Sequence, residues 1–554
     1  MLASAAVLLA AAGCNNLDLS SPSSPSTENW YSNADEIRIS LNEMYRQDFY
    51  GPEKEYWTDR RSDDWAQRNY SYELPAGSAT SSTSTFNTFW KNTYKAISRS
   101  IRVIESIDRL DNPSLDALYA EACFFRAYFY ARLVTLWGDV PFYTSTISTE
   151  QAFTMGRTDK ETVKAQVYKD FDAAIAGLPE VNNTSGTYRV TKGAALALKA
   201  RYALYWGDYE ECAARSKEVM DLDVYSLYSD YGELFRKKGY TEETIFALAN
   251  SYEYAQTQNI KSWVLRTAGG NAVAQPSWDL LAAYECTDGK TIDRSPLFDP
   301  HNPYANRDPR CAETFVVPGT KVYGVVYDPN PLTLTVWDDN SGQEIRNKDN
   351  KTIDVNCAYN GCALRKGAQE EWRTGLYNEN PTIIVRYADV LLMYAEAKIE
   401  LGQIDNTVLN AINDVRARAY GVSRNETSSY PAVTTTSRDE LRKIVRRERR
   451  VELAWEGRRF YDLRRWGLLK KAYSVNMYGL LTGEKLKNYA KDGNWFWPET
   501  PSIDEDGFAD FSPWADKGYV QLNVLYRYDP KSELFPIPDD EIIINPNLVQ
   551  NPGY

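Results

Sequence analysis

Two groups of side chains in this sequence have the chemistry to hold a sugar. One follows Tyr56 in a run of rings, charges and amides, and its candidates are Arg61, Asp64, Trp65, Asn69 and Tyr70. The other consists of rings between residues 222 and 380, and its candidates are Tyr254, Trp263, Trp337 and Trp372. A sugar presents apolar C–H faces and a rim of hydroxyls, so flat rings with Arg, Asn and Asp groups bind it without an activated nucleophile. Only one or two of the four rings in the second group are expected to contact ligand. Trp65 is equally compatible with a buried anchor of its loop.

Catalytic and metal chemistry have few possible sites. The only histidine, His301, follows Asp299-Pro300 in a turn-like segment, so a multi-histidine metal site is excluded and a histidine-dependent nucleophile would have to use this residue. Oxygen-rich segments 338–342 and 504–507 could bind calcium, but they lack EF-hand spacing and are predicted to be acidic turns. No cofactor is expected. The 76 acidic residues leave a glycosidase-type carboxylate pair open, although no motif places one.

Composition narrows the class of protein further. The chain has 554 residues, of which 43% are hydrophobic and 25% charged, which is typical of a globular protein. A net charge of −13 argues against nucleic acid as a partner. The 40 tyrosines outnumber the 18 phenylalanines by more than two to one, and a ring with a hydroxyl group suits half-exposed binding surfaces.

The N-terminus predicts an anchored, exported protein. Residues 1–13 are apolar and too short to span a bilayer, which indicates a signal peptide. Ala11-Ala12-Gly13-Cys14 resembles a bacterial lipobox, so Cys14 is the expected lipidation site; the alternative is an ordinary signal peptide with a chance cysteine. The Ser/Pro run 20–27 makes residues 14–30 a tether to the domain 31–554.

The other six cysteines show no CxxC spacing, so zinc and thioredoxin-like sites are not expected. Cys123 and Cys212 lie in amphipathic helical segments and are predicted to be buried thiols. Cys357 and Cys362 are close enough in sequence to form a disulfide in an oxidising compartment, and pairing and free thiols are both open.

Periodicity predicts a mainly α protein with long loop excursions and a few short strands. The predicted helices are 35–48, 87–109, 114–137, 160–177, 190–206, 209–221, 381–401, 405–419 and 437–470. Residues 222–380 and the C-terminal part 471–554 are predicted to be rich in loops. Three helices end in an apolar residue followed by Gly138, Gly207 or Gly402, which is typical of a left-handed cap. This pattern predicts tetratricopeptide-type repeats at about 87–221 and 381–470, with generic helical hairpins as the alternative.

The segment 446–467 is the most highly charged part of the sequence. Its arginines alternate with acidic residues, and Arg442, Arg446 and Arg449 share a helical stripe beside Glu448 and Glu452. Interleaved charges of opposite sign favour an ion-pair network between packed helices over a basic binding patch.

This segment resembles the signature of the SusD/RagB family, the surface nutrient-binding lipoproteins of Bacteroidetes. Other segments agree with that family in order along the chain. They are 121–128 with 136–141, 192–201, Tyr304-Ala305-Asn306-Arg307-Asp308-Pro309-Arg310, 386–397, Leu534-Phe535-Pro536-Ile537-Pro538, and the terminal Asn545–Tyr554. The resemblance runs from Cys14 to Tyr554 through these separate motifs.

The resemblance implies a superhelix of tetratricopeptide-type helix pairs with a shallow glycan site on the loops of one face, and it places the region 56–70 at that face. It also implies a lipoprotein on the outer face of the outer membrane that passes glycans, without cleaving them, to a TonB-dependent SusC-like barrel. The charged residues of these motifs are expected to pack and cap helices; they are Arg386, Asp389, Glu396, Glu448, Arg449, Glu456 and Arg459. Trp90, Trp278, Trp455 and Trp466 are expected to be packing residues.

Three alternatives remain at this point. A RagB-like member of the same fold would bind peptides. A glycosidase would need two carboxylates that no motif identifies. A plain tetratricopeptide scaffold would bind protein partners and leave the long excursion at 222–380 without a role.

Overall fold

The computed structural model describes residues 30–51, 56–68, 72–181, 188–255, 257–375 and 377–554, with the backbone alone at 56–58. The signal peptide, Cys14 and the Ser/Pro tether lie outside these residues, as do the predicted contacts Asn69 and Tyr70. No helix within the described ranges is long and apolar enough to cross a membrane.

Helices dominate the first part of the described chain. They are α1 (Ala34–Asn42), α2 (Ser84–Leu110), α3 (Asp116–Trp137), α4 (Thr149–Thr154), α5 (Lys160–Gly177), α6 (Lys192–Trp206) and α7 (Tyr209–Asp221). Short 3-10 helices occupy Glu43–Tyr45, Gln47–Phe49, Tyr56–Arg61 and Pro113–Leu115. Helix α3 packs on α2 and α5, and α6 packs on α7. The predicted helix pairs of the first repeats are therefore present.

Short elements separated by loops fill the middle of the chain, as predicted. The helices there are α8 (Tyr231–Leu234), α9 (Trp278–Ala283), α10 (Arg310–Thr314) and α11 (Trp372–Gly375). The strands up to this point are β1 (Trp65–Gln67), β2 (Thr244–Leu248), β3 (Gln258–Asn259), β4 (Ala274–Pro276), β5 (Lys321–Val322), β6 (Val325–Val326), β7 (Thr335–Asp338), β8 (Gln343–Arg346), β9 (Tyr377–Asn378) and β10 (Thr382–Arg386). Strands β5 to β8 form an antiparallel sheet in sequence order, and the pairs β1–β4, β2–β10 and β3–β9 are also antiparallel.

The helical pattern resumes after β10. The remaining helices are α12 (Tyr387–Glu400), α13 (Asn406–Ala419), α14 (Arg438–Glu452), α15 (Arg459–Arg465), α16 (Leu469–Ala472), α17 (Gly483–Lys491), α18 (Ser512–Asp516) and α19 (Asp539–Ile544). The remaining strands are β11 (Met477–Gly479), β12 (Ser502–Ile503), β13 (Ala509–Asp510) and β14 (Gln521–Val524), paired as β11–β14 and β12–β13, and Pro530–Glu533 is a 3-10 helix. Helix α12 packs on α7, α13 and α14, which joins the later helices to the first repeats.

Three predicted helices had wrong bounds. The helix predicted for 35–48 ends at Asn42, and the 3-10 helices Glu43–Tyr45 and Gln47–Phe49 follow it. The helix predicted for 381–401 begins only at Tyr387, because Thr382-Ile383-Ile384-Val385 is β-branched and pairs with β2. The helix predicted for 437–470 is broken into α14, α15 and α16. The break between α14 and α15 lies where Trp455 and Gly457 take positive φ angles of 60° and 74°, which a helix does not tolerate.

The three predicted Gly turns occur at the ends of α3, α6 and α12. Gly207 is a left-handed cap with φ 79° and ψ 13°, and Gly402 has φ 70°. Gly138 differs, because its φ of 75° and ψ of −127° lie in a region essentially confined to glycine. Side-chain caps begin the second helices, as when Asp208 accepts from the Glu211 N–H at the start of α7.

The predicted ion-pair network is confirmed, and it is buried between helices. Glu452 of α14 accepts from Arg310 at 2.9 Å, from Arg386 at 2.6 Å and from Arg418 at 2.5 Å. Burial alone raises the pKa of the Glu452 carboxyl, but the three guanidinium groups hold that pKa well below its usual range. Glu448 joins the same network by accepting from Arg310 at 2.6 Å. The glutamates of this segment therefore pair with arginines of the fold itself.

A second set of charges ties α14 to α12 and to α15. Arg449 pairs with Asp389 at 3.1 Å and with Asp462 at 3.0 Å, and Arg465 pairs with Glu396 at 2.6 Å. Asp389, Glu396 and Arg449 therefore have the packing role that the sequence predicts.

The cysteine predictions are resolved in part. Cys123 and Cys212 are buried within α3 and α7, as predicted, and burial raises the pKa of both thiols to about 12. Cys357 and Cys362 are also buried free thiols, so the disulfide alternative is wrong in this structure. His301 is exposed in a turn, as predicted.

Candidate functional site

Most of the sequence-predicted contacts around Trp65 are buried, and the structure corrects them. Trp65 is 1% exposed, and its ring stacks on Trp455 with centroids 4.9 Å apart at 20°. Asp64 accepts from Arg450 at 2.8 Å, and the Arg61 guanidinium lies 5.4 Å from the Phe535 ring centroid. These groups anchor the loop against α14 and the C-terminal segment, so a ligand at the surface does not reach them.

Two rings of the second group are buried as well. Trp263 is fully buried, and Trp372 is 1% exposed in α11, where its ring lies parallel to that of Tyr323. A ring without an open face cannot stack on a sugar, so both belong to the core and not to the binding surface. The predicted packing of Trp90 and Trp278 is confirmed by their burial.

Tyr254 and Trp337 are the two rings of the second group that are open to solvent. Tyr254 is 73% exposed and Trp337 is 40% exposed. The Trp337 indole on β7 donates to Asp339 at 2.7 Å, which fixes one edge of the ring and leaves part of its surface free.

The structure adds two rings that the sequence analysis missed. Tyr252 and Tyr377 are 65% and 43% exposed, and their ring centroids lie 5.5 Å apart at 57°. Tyr254 follows Tyr252 by two residues in the same turn. We call these three residues, Tyr252, Tyr254 and Tyr377, the tyrosine platform. The Tyr-Glu-Tyr spacing was a signal for paired surface rings, but the approach of Tyr377 depends on strand pairing.

The short β3–β9 pair holds the platform in place. Gln258 lies opposite Asn378 in this pair, and Asn259 lies opposite Tyr377, which brings the turn of Tyr252 beside β9. The Tyr252 N–H donates to Glu379 Oε1 at 2.8 Å, which ties the two segments together a second time. The platform is therefore formed by two chain segments that lie more than 120 residues apart in sequence and are held together by strand pairing and a hydrogen bond.

Polar groups surround the platform. The Gln258 amide donates to Thr382 Oγ1 at 2.8 Å, and the Asn250 amide donates to the Asn380 carbonyl. The Gln258 amide is buried and fixes the strands beneath the rings, whereas the half-buried Glu379 carboxylate offers a hydrogen-bond acceptor next to the open rings. The arrangement can hold the C–H face of a sugar and orient its hydroxyl groups.

Two carboxylates with strongly raised pKa values, Asp59 and Asp279, are buried. Burial raises the pKa of Asp59 to about 8 and that of Asp279 to about 7. The two side chains are only 1% and 4% exposed, and Asp59 accepts from the Gly457 N–H at 2.9 Å. Glycoside hydrolysis needs two carboxylates on either side of a bound substrate, and neither group is accessible to one.

In the acidic turns considered for calcium, the carboxylate oxygens bind Arg and Lys side chains of the chain itself. Asp338 accepts from Arg373 at 2.6 Å and from Ser341, and this bonding lowers the pKa of Asp338 to about 2. Asp504 and Asp506 both pair with Lys471. Among the described residues, no group of three or more His, Cys, Asp or Glu side chains is arranged to hold a metal ion.

Comparison with known proteins agrees with this architecture. Residues 242–554 match the model of the SusD family, and residues 15–204 match a family model described as starch-binding associating with outer membrane. A SusD-like protein of Formosa agariphila is 27% identical over 393 residues, covering 69% of this chain and 70% of the relative.

Solved structures show the same fold. A SusD-like carbohydrate binding protein from Bacteroides fragilis superposes with a TM-score of 0.78 at 25% identity, covering 94% of this chain and 99% of the other. A laminarin binding SusD-like protein superposes with a TM-score of 0.60 at 20% identity, over 94% of this chain and 100% of the other. With more than half of its length matched by the family model, the chain belongs to the SusD family.

Proposed function

We propose that this protein binds glycans at the bacterial surface without cleaving them, and that the tyrosine platform is a contact surface for the ligand. The observation that carries the proposal is the exposed pair Tyr252 and Tyr377, with the Glu379 carboxylate beside it, on a fold whose relatives include carbohydrate-binding and laminarin-binding proteins. Open rings next to hydrogen-bonding groups are the chemistry that a sugar requires.

The proposal extends to location and partner. Cys14 would carry the lipid, the segment 14–30 would be the tether, and the protein would sit on the outer face of the outer membrane. The bound glycan would pass to a TonB-dependent SusC-like barrel. The family-model description of outer-membrane association supports this location. Membrane fractionation with a Cys14→Ser variant tests the anchor, because the variant should leave the membrane fraction. Copurification with a barrel protein from the native host tests the partner.

The binding experiment uses calorimetry with a panel of neutral polysaccharides that includes laminarin and starch. The double variant Tyr252→Ala/Tyr377→Ala should weaken binding at least tenfold, because losing two stacking contacts of about 1 kcal/mol each exceeds the 1.4 kcal/mol that corresponds to a factor of ten. Phe153→Ala is the matched control, since Phe153 is 49% exposed on α4 and is not part of the platform. Equal affinity of the double variant and the control would exclude the platform as the contact surface.

Two further readouts separate the alternatives. Chromatography of the glycan after prolonged incubation should show no shortened product, and release of oligosaccharides would establish an enzyme instead. Binding of a peptide mixture with no response to any glycan would favour the RagB-like alternative.

A further inference from the structure

A cleft of about 680 Å³ lies in the helical half of the molecule, formed by elements other than those of the tyrosine platform. Its walls come from the end of α3, the start of α5, the end of α6, helix α15 and the C-terminal segment 533–552. The volume lies within the range of sites for small ligands. The neutral-glycan proposal does not use this cleft.

One wall of the cleft is aromatic. The rings of Tyr205 and Tyr461 are stacked in parallel, with centroids 4.8 Å apart at 3°. Trp206 lies next to them, and its indole donates to Thr135 Oγ1 at 3.0 Å. These rings are fixed by contacts within the fold and give the cleft a rigid, flat side.

Other residues of the lining are cations that form no ion pair with a carboxylate. Arg157 donates only to neutral oxygens, namely the carbonyls of Asp139, Val549 and Trp137 and the side chain of Asn551. Within the described ranges, Arg157 has no Asp or Glu carboxylate oxygen within 4 Å; the Asp139 carboxylate lines the same cleft, accepts from the Lys160 N–H at 3.0 Å and acts on Arg157 only from a longer distance.

Arg464 and Lys160 are two further cations of the lining without an ion pair to a described carboxylate. Arg464 donates to the Thr135 carbonyl at 2.9 Å, and its buried Nε atom has no hydrogen-bond partner among the described groups. Glu533 also lines the cleft, but it acts on Arg464 from beyond ion-pair distance. Lys160 lines the cleft at the start of α5, and it likewise lacks an ion pair with any carboxylate that the structure describes.

This lining contrasts with neighbouring cations of the same cleft. Arg465 pairs with Glu396 at 2.6 Å, and Lys164 pairs with Glu161 at 2.8 Å. Burial lowers the pKa values of Arg157 and Arg464 because desolvation disfavours a charged guanidinium, and the nearby carboxylates of Asp139 and Glu533 offset this effect only in part. The lining has five Arg and Lys side chains against these two carboxylates, and a bound anion would supply a further counter-charge.

We propose that this cleft, with Arg157, Lys160 and Arg464 beside the half-buried Tyr205 and Trp206 rings, binds an acidic saccharide through its carboxylate or sulfate group. A guanidinium matches the planar geometry of a carboxylate or the oxygens of a sulfate, and flat rings suit the sugar that carries either group. The cleft is an anionic-sugar site separate from the tyrosine platform, and its occupancy does not depend on the platform.

Calorimetry of the full chain with three probes tests the assignment. The probes are an oligogalacturonate, a sulfated galactan oligosaccharide and a neutral oligosaccharide of equal length. At least one acidic probe should bind, and its affinity should fall as salt is added because the ionic contacts are screened. The response to each acidic probe distinguishes a carboxylate ligand from a sulfate ligand. Failure of both acidic probes to bind, or equal binding of the neutral probe in the Tyr252→Ala/Tyr377→Ala background, would overturn the proposal.

Variants locate the bound anion. Lys160→Gln and Lys160→Gln/Arg464→Gln should weaken binding of the acidic probe about threefold and at least tenfold, respectively. Lys217→Gln is the control, since Lys217 is exposed on α7 and outside the cleft. Thermal unfolding checks that each variant is folded, and the Lys160 variant retains the test if loss of Arg464 destabilises the chain. Unchanged affinity in the folded Lys160 variant would contradict the site. Binding of oligoglutamate without any acidic saccharide would do the same, because it would indicate a peptide ligand.

Discussion

Replacing Glu452 by Gln removes the charge at the centre of the buried network. The carboxylate is fully buried and accepts from Arg310, Arg386 and Arg418 at 2.5–2.9 Å. The amide nitrogen of Gln would face guanidinium N–H groups, which leaves a donor against donors and three cations short of one counter-charge. Removing one partner of a buried ion pair costs about 3–5 kcal/mol.

The structure places the expected loss at the lower end of that range. Each of the three arginines keeps another carboxylate: Arg310 retains Asp308 at 2.7 Å, while Arg386 and Arg418 both retain Glu243 at 2.6 and 2.8 Å. The free energy of unfolding should therefore fall by about 3 kcal/mol, and no buried charge is left entirely without a partner.

Urea denaturation followed by tryptophan fluorescence measures this loss, provided that unfolding is reversible. Asp439→Asn is the matched control, because Asp439 lies in the same helix and pairs with Arg442 at 3.1 Å while 84% of its side chain is exposed. An exposed pair contributes less than about 1 kcal/mol. If the Glu452 variant were no less stable than the Asp439 variant, the network would not stabilise the fold.

The remaining predictions concern pH, thiols and backbone geometry. Because burial raises the pKa of Asp59 from 3.8 to about 8, its contribution to stability is fully present below pH 3.8 and is lost as pH rises through 8. Asp59→Asn should therefore flatten the decline of the melting temperature between pH 5 and 8, and an unchanged pH profile would contradict the assignment. Peptide mapping of the unreduced protein should find Cys357 and Cys362 as free thiols, and a linked peptide would show that the structure is wrong there. Gly138→Ala should cost about 1–3 kcal/mol because of its backbone angles, whereas Gly375→Ala, at a position with open space and ordinary φ, should cost less than half as much; equal losses would exclude backbone strain.

The parts of the fold that the sequence predicts well are those that depend on local information. Helices α5 and α7 match their predicted bounds because capping residues, periodicity and a following glycine or loop signal lie within the same few residues. Opposite charges at helical spacing in α14 likewise predict a network rather than a basic patch. The other members of the network come from distant segments, and only the folded chain brings Asp63 to Arg450 of α14 and Glu243 to Arg386.

The candidate site was less predictable, and the reason lies in the two kinds of ring. Trp65, Trp263 and Trp372 have the large apolar area that drives burial, so each fills a core position, although a tryptophan in a loop also suits sugar binding. Tyr252 and Tyr377 keep a hydroxyl group that tolerates water, and they remain open. Residue type alone did not decide exposure, since Trp337 is 40% exposed and many of the tyrosines are buried. The pairing of Tyr252 with Tyr377 depends on the β3–β9 contact, which no local pattern in the sequence specifies. A search for ligand surfaces in related chains should accordingly begin with tyrosines near short strand pairs in the long excursion and treat buried loop tryptophans as anchors of that surface.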